Sequence, residues 1–185
     1  MRNVARLILV VALVMPSMLP ARAGENVQLV EQKIKAGLIY NFLKYTQWPQ
    51  GSPRQAASTT VVCLFGGDPF DGNLQPMAGR TVNERTIEVR EVKTAADLGA
   101  CALLVVNGAK KADWAQLKTA LTGQDIMTVS DFEGFALAGG MIEFTRNDSR
   151  IGVKINTEAV ATTHLVVQDR LLKLASAVRA GGSEP

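Results

Sequence analysis

The side chains that most often carry catalysis are scarce in this sequence. His164 is the only histidine in 185 residues, and the motifs HxxxH, HExxH, GxSxG and GxxxxGKS/T are all missing. We interpret His164 as structural or solvent-facing. Two carboxylate pairs lie in predicted loops, Asp68 with Asp71 and Asp131 with Glu133. Turn and capping chemistry explains both pairs. We therefore predict no catalytic residues, no metal site and no cofactor, and expect a protein that is not an enzyme.

The sequence also lacks any candidate membrane span beyond its N-terminus. The apolar run from Leu7 to Met15 follows two arginines and is broken by Pro16, well short of the ~20 residues that a transmembrane helix needs. Ala21-Arg22-Ala23 then supplies the small residues of a cleavage site. We predict a signal peptide over residues 1–23, cleaved before Gly24, and hence an exported protein. An uncleaved membrane anchor is the alternative.

Basic residues form no cluster, and their excess over acidic residues comes from the predicted signal peptide. The chain has 20 Lys and Arg against 17 Asp and Glu, but Arg2, Arg6 and Arg22 belong to the first 23 residues. The exported chain therefore keeps 17 of each sign and has no formal net charge. Nucleic-acid binding and attachment to an acidic membrane surface both need a basic footprint, so we expect neither.

Internal repeats are absent, and glycine and proline are scattered along the chain. The 162 residues that follow the predicted cleavage site suit one compact domain. We assign residues 24–178 to this domain and residues 179–185, RAGGSEP, to a flexible tail. The oligomeric state stays open, and a homodimer is one option.

Cysteine is limited to two residues, Cys63 and Cys101. In an oxidising compartment an even number of cysteines favours a disulfide over a metal site or a catalytic thiol. Closing the loop of 38 residues between them would stabilise the fold by about 4 kcal/mol. Two separate buried thiols in apolar strands are the alternative.

Three apolar runs have the length and composition of buried strands: Thr59–Phe65, Cys101–Val106 and Asp125–Asp131. Such runs suit a parallel sheet covered by helices on both faces. After Gly139-Gly140 the apolar residues recur with period two on either side of a polar turn at 147–149, which predicts an antiparallel hairpin. The predicted fold is α/β: a single domain with a mainly parallel sheet, flanking helices and an antiparallel hairpin at one edge.

Apolar periodicity and capping residues predict the helices. They cover Val27–Gln47, Asp113–Leu121, Thr157–Thr163 and Gln168–Val178, with one more starting at Asp68-Pro69. In the first helix, steps of four and three connect the residues of one predicted buried stripe: Val30, Ile34, Leu38, Phe42 and Tyr45. Pro49 is expected to end this helix.

Four of the ten aromatic residues fall within nine positions of the first helix: Tyr40, Phe42, Tyr45 and Trp48. A helix this apolar is mostly buried, so we interpret these aromatics first as core. Tyr and Trp can also keep their polar group at a wet rim. Tyr40, Tyr45 and Trp48 are therefore our candidates for a partner-binding surface.

Glycine and polar residues follow each of the three predicted parallel strands: Gly66-Gly67-Asp68, Asn107-Gly108 and Ser130-Asp131. Open α/β sheets bind ligands beyond the carboxyl ends of their strands, and helix N-termini there can hold an anion. The alternative hypothesis is therefore a small anionic ligand bound by these seven residues. Every βα loop needs such residues to turn, so ordinary loop chemistry is the competing interpretation.

Six segments together resemble the YfiR-like periplasmic proteins: KAGLIYNFLKYTQWP, VVCLFGGDPFDGNL, DLGACALLVV, MTVSDFEGFALAGGMIEF, RIGVKIN and RLLKLA. No single segment is specific. Their order and spacing cover nearly all of the chain after the predicted cleavage site. The aromatic helix, the FALAGGMI stretch and the terminal LLKLA in combination carry the resemblance.

The resemblance implies a periplasmic binding protein. The best-known member of the family represses an inner-membrane diguanylate cyclase through its sensor region, which connects envelope redox state to cyclic-di-GMP and biofilm formation. A partner of that kind is expected here, and Cys63 and Cys101 match the family's structural cysteine pair. That member has a second pair around the glycine-rich segment, where this chain has Ala136, Leu137 and Met141. The resemblance therefore does not extend redox switching by the second pair to this chain.

Overall fold

The computed structural model describes residues 22–147, 150–173 and 175–178. The predicted signal peptide, apart from its last two residues, and the predicted tail at 179–185 lie outside the described residues. In these three ranges, none of the helices combines the length and the hydropathy that a bilayer crossing requires.

The strands and helices follow one another in α/β order. The strands are β1 (Thr46–Gln47), β2 (Thr59–Phe65), β3 (Thr81–Val82), β4 (Arg85–Val92), β5 (Cys101–Val106), β6 (Met127–Ser130), β7 (Ile142–Asn147), β8 (Arg150–Asn156), β9 (Val166–Val167) and β10 (Ser176–Val178). The α-helices are α1 (Arg22–Lys44), α2 (Pro53–Ala56), α3 (Trp114–Leu121), α4 (Thr157–Ala161) and α5 (Asp169–Leu172). Short 3-10 helices cover Gln75–Met77, Ala95–Ala100 and Gly108–Asp113.

Eight of the described strands form one mainly parallel sheet, in the order β10-β8-β7-β6-β5-β2-β4-β3. The strands from β7 across to β4 run parallel to their neighbours, and β10 runs parallel to β8. The pairs β7-β8 and β3-β4 are antiparallel. The predicted α/β class is confirmed, as are the three buried strands and the hairpin. The hairpin lies one strand in from the edge, because β10 pairs with its outer side.

Alternate residues of the central strands pack on opposite faces of the sheet, as the period of two in a β-strand requires. In β2, Val62 and Leu64 join the core cluster beneath α1, whereas Cys63 and Phe65 join the cluster beneath α3. Both faces are therefore covered, and this explains why β2 and β5 read as continuous apolar runs.

Helix α1 ends at Lys44, three residues earlier than predicted. The next two residues, Thr46 and Gln47, form β1 and pair antiparallel with β9. The backbone N–H of Gln168 also donates to the carbonyl oxygen of Tyr45 at 3.0 Å. Pairing with a distant strand therefore ends the helix before Pro49 can do so.

The predicted buried stripe of α1 is wrong at its N-terminal end. Val30 and Ile34 are exposed, whereas Phe42 is fully buried. A helix turns about 100° per residue, so the twelve positions from Val30 to Phe42 leave the two side chains about 120° apart. The face that packs on the sheet is instead formed by Gln32, Lys35, Ala36, Ile39 and Leu43.

Two further helix predictions are corrected. No α-helix starts at Asp68-Pro69, since the Asp68 carboxylate accepts from the N–H groups of Phe70 (2.8 Å) and Leu74 (3.2 Å) and holds a series of turns. The C-terminal helix ends at Leu172, and the chain continues into β10. Pairing with β10 satisfies the outer backbone groups of β8, which would otherwise be an open edge.

Candidate functional site

A disulfide joins Cys63 of β2 to Cys101 at the start of β5, as predicted. The two strands are adjacent and parallel, and the Cα atoms are 5.7 Å apart. The register shifts between Val61 and Val62, where β5 carries one extra residue, Ala102. Both cysteines are fully buried, so the bond lies within the core beneath α3.

Arg54 of α2 fixes the chain at the end of this disulfide. Its Nε donates to the carbonyl oxygen of Cys101 at 2.6 Å, and its Nη2 donates to the carbonyl oxygen of Gly99 and to Oε1 of Gln124. Burial lowers the pKa of Arg54, while the nearby carboxylate of Asp125 opposes that shift. The guanidinium therefore connects α2 with the entry to β5 and with the end of α3.

Tyr40 and Tyr45 are half-buried, with part of each ring packed on the core. The hydroxyl of Tyr40 donates to the carbonyl oxygen of Thr81 at 3.0 Å, and the guanidinium of Arg80 lies 5.2 Å from the ring centre. The ammonium of Lys44 lies 5.5 Å from the ring centre of Tyr45. Both tyrosines reach the surface as expected, and their partner-binding role stays a prediction.

Trp48 does not emerge at the surface, contrary to expectation. Its side chain is 7% exposed, and its Nε1 donates to the carbonyl oxygen of Asp125 at 3.0 Å. The carboxylate of Asp125 in turn accepts from the backbone N–H of His164 and lies 3.1 Å from its Nδ1. Trp48 is therefore part of the contact between the segment after β1 and the segment before β9.

The sheet brings the three predicted ligand-binding loops together, because β2, β5 and β6 are neighbours. Their polar groups are, however, used within the fold. Ser130 is fully buried and donates to the carbonyl oxygen of Val106 at 2.7 Å. Asn107 Oδ1 accepts from the N–H of Ala109, and Asp68 holds the turns that follow β2.

Basic side chains cover the same edge. The Lys110 side chain lies over Gly66, so that a side chain at that glycine would overlap it, and its ammonium pairs with Asp113 at 3.3 Å. Asp131 pairs with Lys35 of α1 at 3.3 Å. Gly67 and Gly108 have ordinary space around them. This geometry favours the loop interpretation of the seven residues, and their role as ligand-binding residues stays a prediction.

The segment where the resemblance places a second cysteine pair is held by buried polar side chains here. Glu143 of β7, itself buried, accepts from the N–H groups of Gly134 (3.2 Å) and Ala136 (2.8 Å). Asn156 donates to the carbonyl oxygen of Ala136 at 2.7 Å. Ala136 and Met141 are buried and Leu137 is exposed. Hydrogen bonds therefore order this segment without a disulfide.

The first half of α1 carries a surface that the sequence stripe misplaced. Val27, Val30 and Ile34 are about half exposed and line one groove with Ile151 of β8; we call these four residues the α1 apolar face. Arg146 and Arg150 of the hairpin form one edge of the groove. The polar residues Gln32 and Lys35 on the buried side of α1 give no warning of this orientation, whereas the 40° advance of each four-residue step does.

These observations define the class of protein. It is an α/β domain with a buried disulfide, self-satisfied loops at the carboxyl edge of its sheet, and aromatic and apolar side chains on its surface. The described residues bring together no group of three or more His, Cys, Asp or Glu side chains that could hold a metal ion.

The chain belongs to the YfiR/HmsC-like family, whose model matches residues 32–176. This family is regulatory rather than catalytic, and the predicted resemblance is confirmed. No curated protein matches the chain.

Proposed function

We propose that this protein is a periplasmic regulator that represses a membrane-bound diguanylate cyclase through its periplasmic sensor region, and so controls cyclic-di-GMP and biofilm formation. The family match over residues 32–176 carries the proposal. The predicted signal peptide supports it, because cleavage after export would place the domain in the same compartment as the sensor region.

Repression in this proposal is stoichiometric binding, without a chemical step. The exported chain has no formal net charge, so long-range steering contributes little and the affinity comes from apolar and aromatic contacts. Tyr40 and Tyr45 are the proposed aromatic contacts, and Trp48 supports them from within the fold. Binding should accordingly depend only weakly on salt concentration.

The test is a genetic one with a matched background. Deleting the gene should raise cyclic-di-GMP and biofilm formation in cells that contain the cyclase and change neither in cells that lack it. Tyr45→Ala should weaken binding to the purified sensor region while the melting temperature stays near that of the wild type. Unchanged cyclic-di-GMP in both backgrounds would overturn the proposal.

Small-molecule binding is the second candidate, and one cavity favours it. About 410 Å³ of space lies between α3 and α4, with Trp114, Ile126 and Met141 among its apolar lining and Lys118 and Glu158 among its charged lining. Small-molecule pockets commonly enclose about 300–1,000 Å³. The seven loop residues predicted for an anionic ligand do not line this cavity. A small molecule retained in native mass spectra of the periplasmic protein, with cyclic-di-GMP unchanged on deletion, would favour this function.

A further inference from the structure

The α1 apolar face is a contiguous surface. Val27, Val30 and Ile34 are 52%, 56% and 48% exposed, and their spacing of three and four places them on one side of the helix. Ile151 lies beside them and is itself only half-buried. Apolar residues scattered singly over a surface need no explanation, but a contiguous apolar patch edged by charged residues marks an interaction site.

The shape of this face fits a helix. From Val27 to Ile34 the axis of α1 advances about 10 Å, which is two turns. The α1 side chains form one wall of the groove and the β7-β8 hairpin forms the other. A groove of this kind takes the ridge of a partner helix, with anchors spaced by three or four residues.

Charge at the groove indicates which helix fits. Arg150 is exposed at the hairpin edge, and the side chain of Arg146 is 58% exposed. The nearest carboxylate, Glu31, is mostly enclosed because it pairs with both Lys35 (3.1 Å) and Arg146 (3.3 Å). The exposed charge of this edge is therefore positive, and a docked helix complements it with Asp or Glu along its flank.

We propose that the α1 apolar face binds an amphipathic helix with an acidic flank, supplied by the periplasmic part of the membrane signalling protein. This inference rests on the proposed function and adds a second contact region on α1, N-terminal to the two tyrosines. A second copy of this chain fits the groove less well, because it would bring the same two arginines with Glu31 already enclosed.

The experiment measures binding of the full exported protein to the purified periplasmic domain of the cyclase by isothermal titration calorimetry. Val30→Glu with Ile34→Glu should weaken binding at least about tenfold, and Arg150→Glu should slow association. Both positions on α1 are exposed, so the melting temperature should stay near that of the wild type. Leu137→Glu is the matched control, because Leu137 is 58% exposed on a different segment.

The outcomes separate the two proposals. Binding by the wild type that the α1 double variant leaves intact would overturn the α1 docking site and leave the proposed function standing. No binding by the wild type would overturn the proposed function and this inference with it. A photoreactive residue at position 34 in cells should cross-link to a helix of the cyclase domain. Cross-linking to another copy of this chain would assign the face to self-association and overturn the inference.

Discussion

Gly140 occupies a site where a side chain has no room. A Cβ at this position would overlap three atoms of the Phe135 ring. Phe135 cannot move aside easily, because it is fully buried with its ring centre 4.5 Å from that of Trp114 and 5.0 Å from that of Phe132. Backbone conformation explains Gly139 instead, which has a φ of 91°. The two adjacent glycines are therefore needed for different reasons.

We expect Gly140→Ala to lower the free energy of unfolding by about 2–3 kcal/mol, at the upper end of the cost of overpacking a core. Gly139→Ala is the comparison variant. Its Cβ would meet the flexible end of Lys118 at 3.0 Å, so its cost of about 1–2 kcal/mol comes from the left-handed backbone.

Urea unfolding of a double-mutant cycle measures the contact directly. Phe135→Leu leaves more room for a methyl group at position 140, so the cost of combining it with Gly140→Ala should fall short of the sum of the single costs by about 1 kcal/mol or more. Strict additivity, or a Gly140→Ala variant within about 0.5 kcal/mol of the wild type, would refute the proposed overlap.

Three further predictions follow from buried or capping groups. Replacing both Cys63 and Cys101 with alanine should lower the stability by about 4 kcal/mol and the melting temperature by about 10 °C, so an unchanged thermal midpoint would contradict the disulfide's role. Glu143→Gln removes the charge from two hydrogen bonds to backbone N–H groups and should cost about 1–2 kcal/mol, with faster exchange of those amide protons; unaltered exchange would argue against it. Hydrogen bonds from the backbone N–H and hydroxyl of Thr94 and the N–H of Lys93 lower the pKa of Asp97, so its stabilisation is present above the ordinary carboxyl pKa and disappears as the pH falls through the lowered value. The stability difference between wild type and Asp97→Asn should therefore shrink on acidification below about pH 4, and a constant difference would show that the carboxylate charge does not matter.

Local signals predict the central strands well, because β2 and β5 are buried on both faces and are therefore apolar at every position. The same reasoning fails where a distant segment decides the structure. Thr46 and Gln47 continue the helical pattern locally and leave it only because β9 pairs with them. Residues 176–178 extend a helical pattern but join the sheet because β8 offers an unpaired side.

The candidate site depends on orientation as much as on composition. Cys63 and Cys101 could be paired from compartment and count, since both lie in strands that a parallel sheet can place side by side. Trp48 was expected at the surface because a sequence cannot show the carbonyl oxygen of Asp125 that accepts from its indole. Val30 and Ile34 were assigned to the core because a stripe of four-residue steps was followed for too long around the helix.

The pairing of β1 with β9 has a consequence for the order in which the domain can be assembled. Thr46 pairs with Val167, 121 positions further along the chain. An exported chain enters the periplasm N-terminus first, so the C-terminal end of α1 remains without its strand partner until almost the whole domain has crossed. Phe42 and Leu43 then gain their final surroundings late, and the slowest step of folding should involve this long-range closure rather than the formation of the helix itself. The region that begins the domain is thus among the last to be fixed in place.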